Sequence, residues 1–528
     1  MPSSGNEQSG QSVGLRKELS LLELTIIGLV GAVGTGILFS APQMMVMSGP
    51  AVILEWILGG IFYFIISLTY MEMGTLYPEA GGPARYAYYT HGPVTNLLNA
   101  WASMVWYLFI PPAEAIAVVY GINYFTHNLL TPSGIPTWLG AGVAALLILL
   151  MVPFNYFGVK FFGQSTTGIG IIKLILYLII PVGLLAAVFI PQNVSSLPGG
   201  FVPYGWAAVF SAIPLGMFAF GGTRVIPDYA EEMKNPQRDI PIAILLVVIG
   251  QTLIYVLFAA TYVLSIKWSA FNVKPGDWAD LTSITSSYNP VMYIAGTYGI
   301  NWLLAIATIV GIIGPFVVGY IYLGGGTRVF FSMYRSKYVS QRVGEIHEKY
   351  AIPYWALIIF GIVGLVLALL SPIPTVYTII EEAVVAGYLG FSVVPVSLVV
   401  SRRQGLSGTY KVPAAAVIGA LAFIFATWIV YWSGWPATPY GVLLVFVLSI
   451  IFAAIYKVRG AFRNSTWYIV YMLAMVLMTY IGQTAGGPVP ILKFPWDMVT
   501  VTILAIAFYT WGVFSGLPKP YEAQPTKS

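Results

Sequence analysis

The chain is 528 residues long, 58% hydrophobic and only 8% charged, which excludes a water-soluble globular domain and points to a bilayer as solvent. Its formal net charge of +5 is spread over short connections and not gathered in a stripe, which argues against nucleic acid as a partner. Cysteine is absent, so disulfides, thiolate metal sites and cysteine nucleophiles are excluded.

Residues 1–20 form a polar tail without the apolar core of a signal peptide, and disorder is expected there. Apolar stretches long enough to cross a bilayer then recur near residues 22–47, 51–77, 94–124, 137–159, 162–190, 206–227, 239–266, 302–331, 352–370, 375–400, 413–433, 438–457, 467–485 and 498–516. This predicts an all-α integral membrane protein with about fourteen transmembrane helices. A transporter core is expected over 21–405, four additional membrane helices over 406–517, and a second polar tail over 518–528.

The first stretch is broken by Gly31, Gly34 and Gly36, and the sixth by Gly221 and Gly222. Glycines cost about 1 kcal/mol each inside a helix, and unwound backbone is tolerated at membrane depth only where protein or a cavity uses it. A matched pair of breaks predicts a 5+5 inverted repeat, about 21–190 and 206–405, with a substrate site at the midplane.

Lysine and arginine in the connections set the orientation. With the N-terminus inside, nineteen fall on the cytoplasmic side and three, Lys267, Lys274 and Lys493, outside. Both termini are therefore expected in the cytoplasm, in a multi-pass protein of the cell membrane. Three connections are long enough to hold structure: 78–93 inside, 267–300 outside with Trp268 and Trp278 in interfacial packing, and the basic loop 332–350 inside.

Four local patterns resemble the amino acid–polyamine–organocation permeases. They are Gly34-Thr35-Gly36-Ile37 in the first span; Glu72 through Pro78 with Gly81-Gly82-Pro83-Ala84-Arg85-Tyr86 after the second; Glu231 through Pro241 after the sixth; and Gly326-Thr327-Arg328 at the end of the eighth. The likeness covers about residues 20–405 and implies a LeuT-like fold and secondary transport of amino acids, proton-coupled or by exchange and sodium-independent. A polyamine or cationic amino acid exchanger is the alternative.

A helix that restarts after a break offers free amides where its dipole favours anions. Thr35 and Gly36 are therefore expected to hold a substrate carboxylate. Carbonyls at Phe218, Gly221 and Ala32 suit an α-ammonium group. The resemblance implies the same roles, with the Phe218 ring covering the substrate and Glu114 near the bound amino group. Lys173 lies about eleven residues into the fifth span, where a lone lysine is costly and by default functional. It is expected to touch carbonyls around Gly28 and Gly31, and the resemblance places it where sodium-coupled relatives bind their ion. Glu381 and Glu382 are expected in an outer vestibule, and Glu72 in a cytoplasmic gate. Arg224 departs from the family pattern, which has an acidic residue there; it is read as an i, i+4 partner of Asp228 or as charge balance for substrate or Glu72.

A membrane-embedded enzyme needs clustered acid–base groups or metal ligands at one depth. His91, His127 and His347 are all expected in loops, so no metal and no cofactor is predicted. A channel would show repeated polar rings, which the sequence lacks. The expected partners are an amino acid or related amine, the lipid bilayer and protons; oligomeric state is not readable.

Overall fold

The computed structural model describes residues 14–286, 289–382 and 386–521, and every regular element among them is helical. Helices α1 (Leu21–Ala32) and α2 (Thr35–Ser48) are separated by Val33 and Gly34, and α3 (Val52–Leu76) follows a tight turn. Next come the short α4 (Tyr86–His91), then α5 (Pro93–Thr126), α6 (Trp138–Tyr156) and α7 (Val159–Ala187). Helix α8 (Gly205–Met217) passes through a 3-10 turn, Phe218–Phe220, into α9 (Gly222–Asp228), and α10 (Pro236–Leu264) follows. The short α11 (Thr282–Thr285) and α12 (Pro290–Thr297) precede α13 (Asn301–Arg335) and α14 (Tyr354–Leu370). The chain continues through α15 (Pro374–Glu382), α16 (Ala386–Arg403), α17 (Ala415–Trp432), α18 (Ala437–Tyr456), α19 (Thr466–Ile481) and α20 (Trp496–Ser515).

Eleven helical stretches among the described residues are long and apolar enough to cross a membrane, with α1, α14 and α19 as shorter apolar helices. The number differs from fourteen for a physical reason. Helices α14 and α19 have 17 and 16 residues, below the roughly 20 of a full crossing. The first break divides one apolar stretch, and α2 runs on through the Gly49 turn into α3.

Local signals place the ends. Ser20 and Glu23 form a reciprocal capping box at α1, which satisfies two otherwise orphaned donors. Proline opens α5, α10 and α12, where its missing N–H costs nothing. The two longest helices, α5 and α13, pack along each other, α3 packs on α10, and α16 lies buried between α5 and α17. Exposed apolar side chains such as Leu149, Ile172, Val182, Ile450 and Ile503 face outward from α6, α7, α18 and α20.

Several expectations about the connections are corrected. Trp268 and Trp278 are buried in edge-to-face contact, 4.8 Å between ring centres, with Trp268 Nε1 donating to Asn193 Oδ1 at 2.9 Å. The exposed tryptophans include instead Trp138, Trp206, Trp302 and Trp496, each in the first turn of its helix, together with Trp435 and Trp511. His91 is not in a loop: it ends α4, buried, with Nε2 paired to the Gly512 carbonyl at 2.9 Å. The described parts of both tails are ordered against the core. Leu19 is bracketed by backbone bonds to Glu232 and Lys234, and Tyr521 N–H donates to the Tyr89 carbonyl. Most of both tails, Lys527 included, lies outside the described residues.

Candidate functional site

Helix α1 stops at Ala32 because Val33 and Gly34 leave helical geometry, and α2 restarts at Thr35 with no side chain capping its amides. The carbonyls at the end of α1 lose their intrahelical partners, and side chains from other helices take two of them. Lys173 Nζ donates to the Val30 carbonyl at 2.9 Å, and Tyr255 Oη donates to that of Ala32 at 2.8 Å. The same Tyr255 proton is shared with the Ala219 carbonyl, 2.6 Å away, so one hydroxyl joins the break in α1–α2 to the turn between α8 and α9.

A cavity of about 250 Å³ opens at these two interruptions. Gly31, Ala32, Gly34 and Gly36 form one wall, and Phe218 and Ala219 another. Helix α5 contributes Trp106, Ile110, Ala113 and Glu114 at helical spacing; Val318, Tyr322, Glu381 and Tyr388 complete the lining. Phe218 is 43% exposed although it lies at the centre of its span, because its ring edges this space. One turn further along α2 and α5, past Phe39 and Ala117, lies a second cavity of about 640 Å³ bounded by Tyr124, Asn289 and Tyr293.

Of the residues expected at the site, Ala32, Gly36, Phe218 and Glu114 line the smaller cavity, and Glu381 joins them. Thr35 opens α2, and its side chain lies outside the described residues. Gly221 does not line the cavity. Its carbonyl accepts from Arg224 N–H at 3.2 Å, and a Cβ there would lie 2.9 Å from the Trp106 ring. The glycine is needed for that close approach.

Lys173 is buried behind the break, and its Val30 acceptor lies in the expected stretch of α1 between Gly28 and Gly31. Its second acceptor is the Gly314 carbonyl of α13 at 3.1 Å, while Gly28 packs against Val247 and Ile226. Glu114 reaches the break from the cavity, with Oε1 4.0 Å from where a Gly34 Cβ would lie. The ammonium and the carboxylate thus flank the same two-residue interruption.

Among the described residues, Arg224 makes neither of the ion pairs expected of it with Asp228 or Glu72. Its Nη1 donates to the Gly387 carbonyl at 3.0 Å, and its guanidinium lies 4.8 Å from the Trp106 ring centre and 5.3 Å from that of Phe391. Asp228 instead accepts a short hydrogen bond from Tyr107. Glu72 is away from the cavity: Arg402 holds it through Nε at 2.5 Å and Nη2 at 2.9 Å, and Val412 N–H donates at 2.7 Å. Glu72 thus joins α3 to the end of α16.

Sequence reasoning missed Trp106, Tyr255, Val318, Tyr322 and Tyr388. The spacing of Trp106, Ile110, Ala113 and Glu114 on one helix face was available as a signal. Val318 and Tyr322 lie four residues apart on α13, a spacing that could also have shown them, whereas Tyr255 and Tyr388 each stand alone on a helix with no spacing to reveal them. No group of three or more metal-ligating side chains occurs among the described residues.

The geometry can hold a small zwitterion: free amides at one end, carbonyls and carboxylates around it, and an aromatic edge. The chain is 29% identical to the glutamate/serine transporter AimA of Bacillus subtilis (strain 168), covering 96% of this chain and 95% of that protein. It is also 29% identical to the aspartate-proton symporter of the same organism, over 96% and 97%. Similarity extends to the branched-chain amino acid permease BcaP, at 25% over 80% and 89%. The amino acid permease family profile matches residues 23–411, and the chain therefore belongs to that family, within the amino acid–polyamine–organocation superfamily.

Proposed function

We propose that this protein is a secondary transporter that carries amino acids across the cell membrane by alternating access. The observation that carries the reading is the cavity built on two helix interruptions, with the α2 amides, which no side chain caps, at one wall. A substrate carboxylate sits at the Thr35–Gly36 amides, where the helix dipole favours it. The ammonium group faces Glu114 and the backbone at Phe218 and Ala219, and the side chain points toward Phe218, Tyr388 and Glu381.

The larger cavity adjoining the site is the open route, and the cytoplasmic side is closed. Trp106 separates Arg224 and the Tyr107–Asp228 pair from the cavity. Beyond them four ion pairs, Glu79–Arg85, Glu232–Arg328, Glu231–Arg335 and Glu72–Arg402, tie the inner ends together. Their release is the inward-opening step. Fourteen crossings in a 5+5 inverted repeat with four added helices, both termini inside, account for the loop charge. They also put Trp138, Trp206, Trp302 and Trp496 on the same outer interface.

Coupling is to protons, with Lys173 in place of a sodium ion and Glu114 facing it across the break. An ammonium there repels a second cation at close range in a poorly screened interior. A second reading has one specific support. Glu114 and Glu381 both line the cavity and no cationic side chain does among the described residues, which favours neutral or cationic side chains, including exchange of cationic amino acids or polyamines, over acidic ones. Uptake of a labelled amino acid and polyamine panel into proteoliposomes tests both. Accumulation driven by an inward proton gradient and unchanged in choline supports the main reading. Strict sodium dependence, or no uptake or counterflow of any substrate, refutes it.

A further inference from the structure

A third cleft shares no lining residue with the two cavities at the helix interruptions. It occupies about 690 Å³ between the end of α13 and Tyr456 of α18, with Tyr334, Lys337, Ser340 and Gln341 on its walls. Both helices end there with a lysine in left-handed backbone, Lys337 at φ 60° and Lys457 at φ 50°. Glycine is the usual residue at such positions, so each lysine keeps its place against backbone strain. A cation beside a helix C-terminus is favoured by the dipole, and that accounts for one lysine at each end.

It does not account for the rest of the charge. Arg459 and Arg463 follow Lys457 on the same exposed loop, and no acidic residue occurs in the sequence between Glu382 and Asp497. Among the described residues no carboxylate lies within 4 Å of Lys337, Lys457, Arg459 or Arg463. Arg335, which also edges the cleft, is already bidentate to Glu231, at 2.5 and 2.7 Å. Apolar side chains are exposed on either side of Lys457 in the chain: Ile455, at the end of α18, and Phe462 are 62% and 65% exposed. Uncompensated cations beside exposed apolar side chains, at the end of a membrane helix, match a lipid with a negative headgroup.

We infer that this cleft binds the headgroup of an anionic phospholipid, whose acyl chains lie against α18 and whose phosphate joins the inner end of the core to the added helices. The hydroxyls of Tyr334, Tyr456 and Ser340 supply donors around the phosphate, and Lys337, Lys457 and Arg459 supply the charge. The inference stands apart from the identity of the transported substrate.

The test is lipid titration of the full-length protein, delipidated in mild detergent, by native mass spectrometry. Dioleoyl phosphatidylglycerol is compared with dioleoyl phosphatidylcholine. One equivalent of phosphatidylglycerol is expected to bind at a concentration at least about tenfold lower, since each basic residue near an anionic headgroup contributes roughly fivefold. Lys337→Gln/Lys457→Gln/Arg459→Gln should abolish the preference. Lys337→Gln and Arg459→Gln, single changes at exposed positions, should each reduce it about fivefold and keep the proposal testable if the triple variant fails to fold. Equal binding of the two lipids, or a preference that survives the variants, overturns the inference. Inorganic phosphate binding as tightly as phosphatidylglycerol also overturns it, by making the site one for a free anion.

Discussion

Adding a single methyl group at Gly36 separates the stability of the protein from its capacity to bind. A Cβ at Gly36 would meet Ala219 Cβ at 3.5 Å and Ala219 Cα at 3.7 Å, ordinary contact distances that require no movement. Gly36 is helical, the second residue of α2, where alanine is favoured over glycine by up to about 1 kcal/mol. Gly36→Ala should therefore melt at or slightly above the wild-type temperature. The same methyl group stands in the cavity wall in front of the α2 amides. Losing one charge-assisted hydrogen bond to a carboxylate costs about 1.5–3 kcal/mol, which is roughly a 10- to 150-fold rise in Kd. Gly222→Ala is the contrasting control. Its Cβ would fall 2.6 Å from Ala32 Cβ and 2.9 Å from Ala32 N, so α1 and α9 must separate and stability must drop. Calorimetric binding of an accepted amino acid, with thermal melts of all three proteins in one detergent, reads both effects. A folded Gly36→Ala protein with wild-type affinity would refute the placement of the carboxylate.

Three further outcomes are expected. Lys173→Met keeps the bulk of the side chain but removes the donor to Val30 and Gly314; uptake should lose its response to a pH gradient, and a normal response would make the lysine a structural tie. Arg328 and Glu232 form a fully buried bidentate pair, both hydrogen bonds at 2.8 Å, so Arg328→Ala should destabilise by about 3–5 kcal/mol by leaving an unpaired charge. Arg328→Met/Glu232→Leu should recover most of that loss in denaturation assays. Glu231 lies between the spans: partial burial works against its charge, but the Arg335 guanidinium outweighs burial and holds the carboxyl below its ordinary value of 4.5. A depressed folded value gives stability that is present above 4.5 and lost as the pH falls below it. The melting-temperature gap between wild type and Glu231→Gln should accordingly be open at neutral pH and close on acidification; a constant gap would contradict the pairing.

Much of the architecture is decided by short-range chemistry and is therefore legible along the chain. Membrane residence follows from composition, span positions from hydropathy, and the first break from Val33-Gly34, because lipid leaves helices no other partners for their backbone. The sixth-span interruption was legible only in kind. The glycines at 221 and 222 pointed to it, yet the chain turns through Phe218–Phe220 and uses the glycines for close contact with Trp106 and α1. Lys173 was singled out by its depth, but its acceptors, Val30 and Gly314, depend on how α7 meets α1 and α13. The expected pairing of Arg224 with Asp228 fails for the same reason. An i, i+4 rule describes neighbours on one helix surface, whereas α9 is buried on all sides, and Trp106, Tyr107, Phe391 and Gly387 reach those side chains first. The sequence by itself determined the membrane class, the family motifs and the break that opens α2, since each rests on residues close together in the chain. Only the tertiary structure decided that Tyr255 joins the two interruptions and that Glu381 shares a cavity with Glu114. Packing also set Trp106, which lines that cavity, against Arg224, because these contacts join helices far apart in sequence and carry no local periodicity.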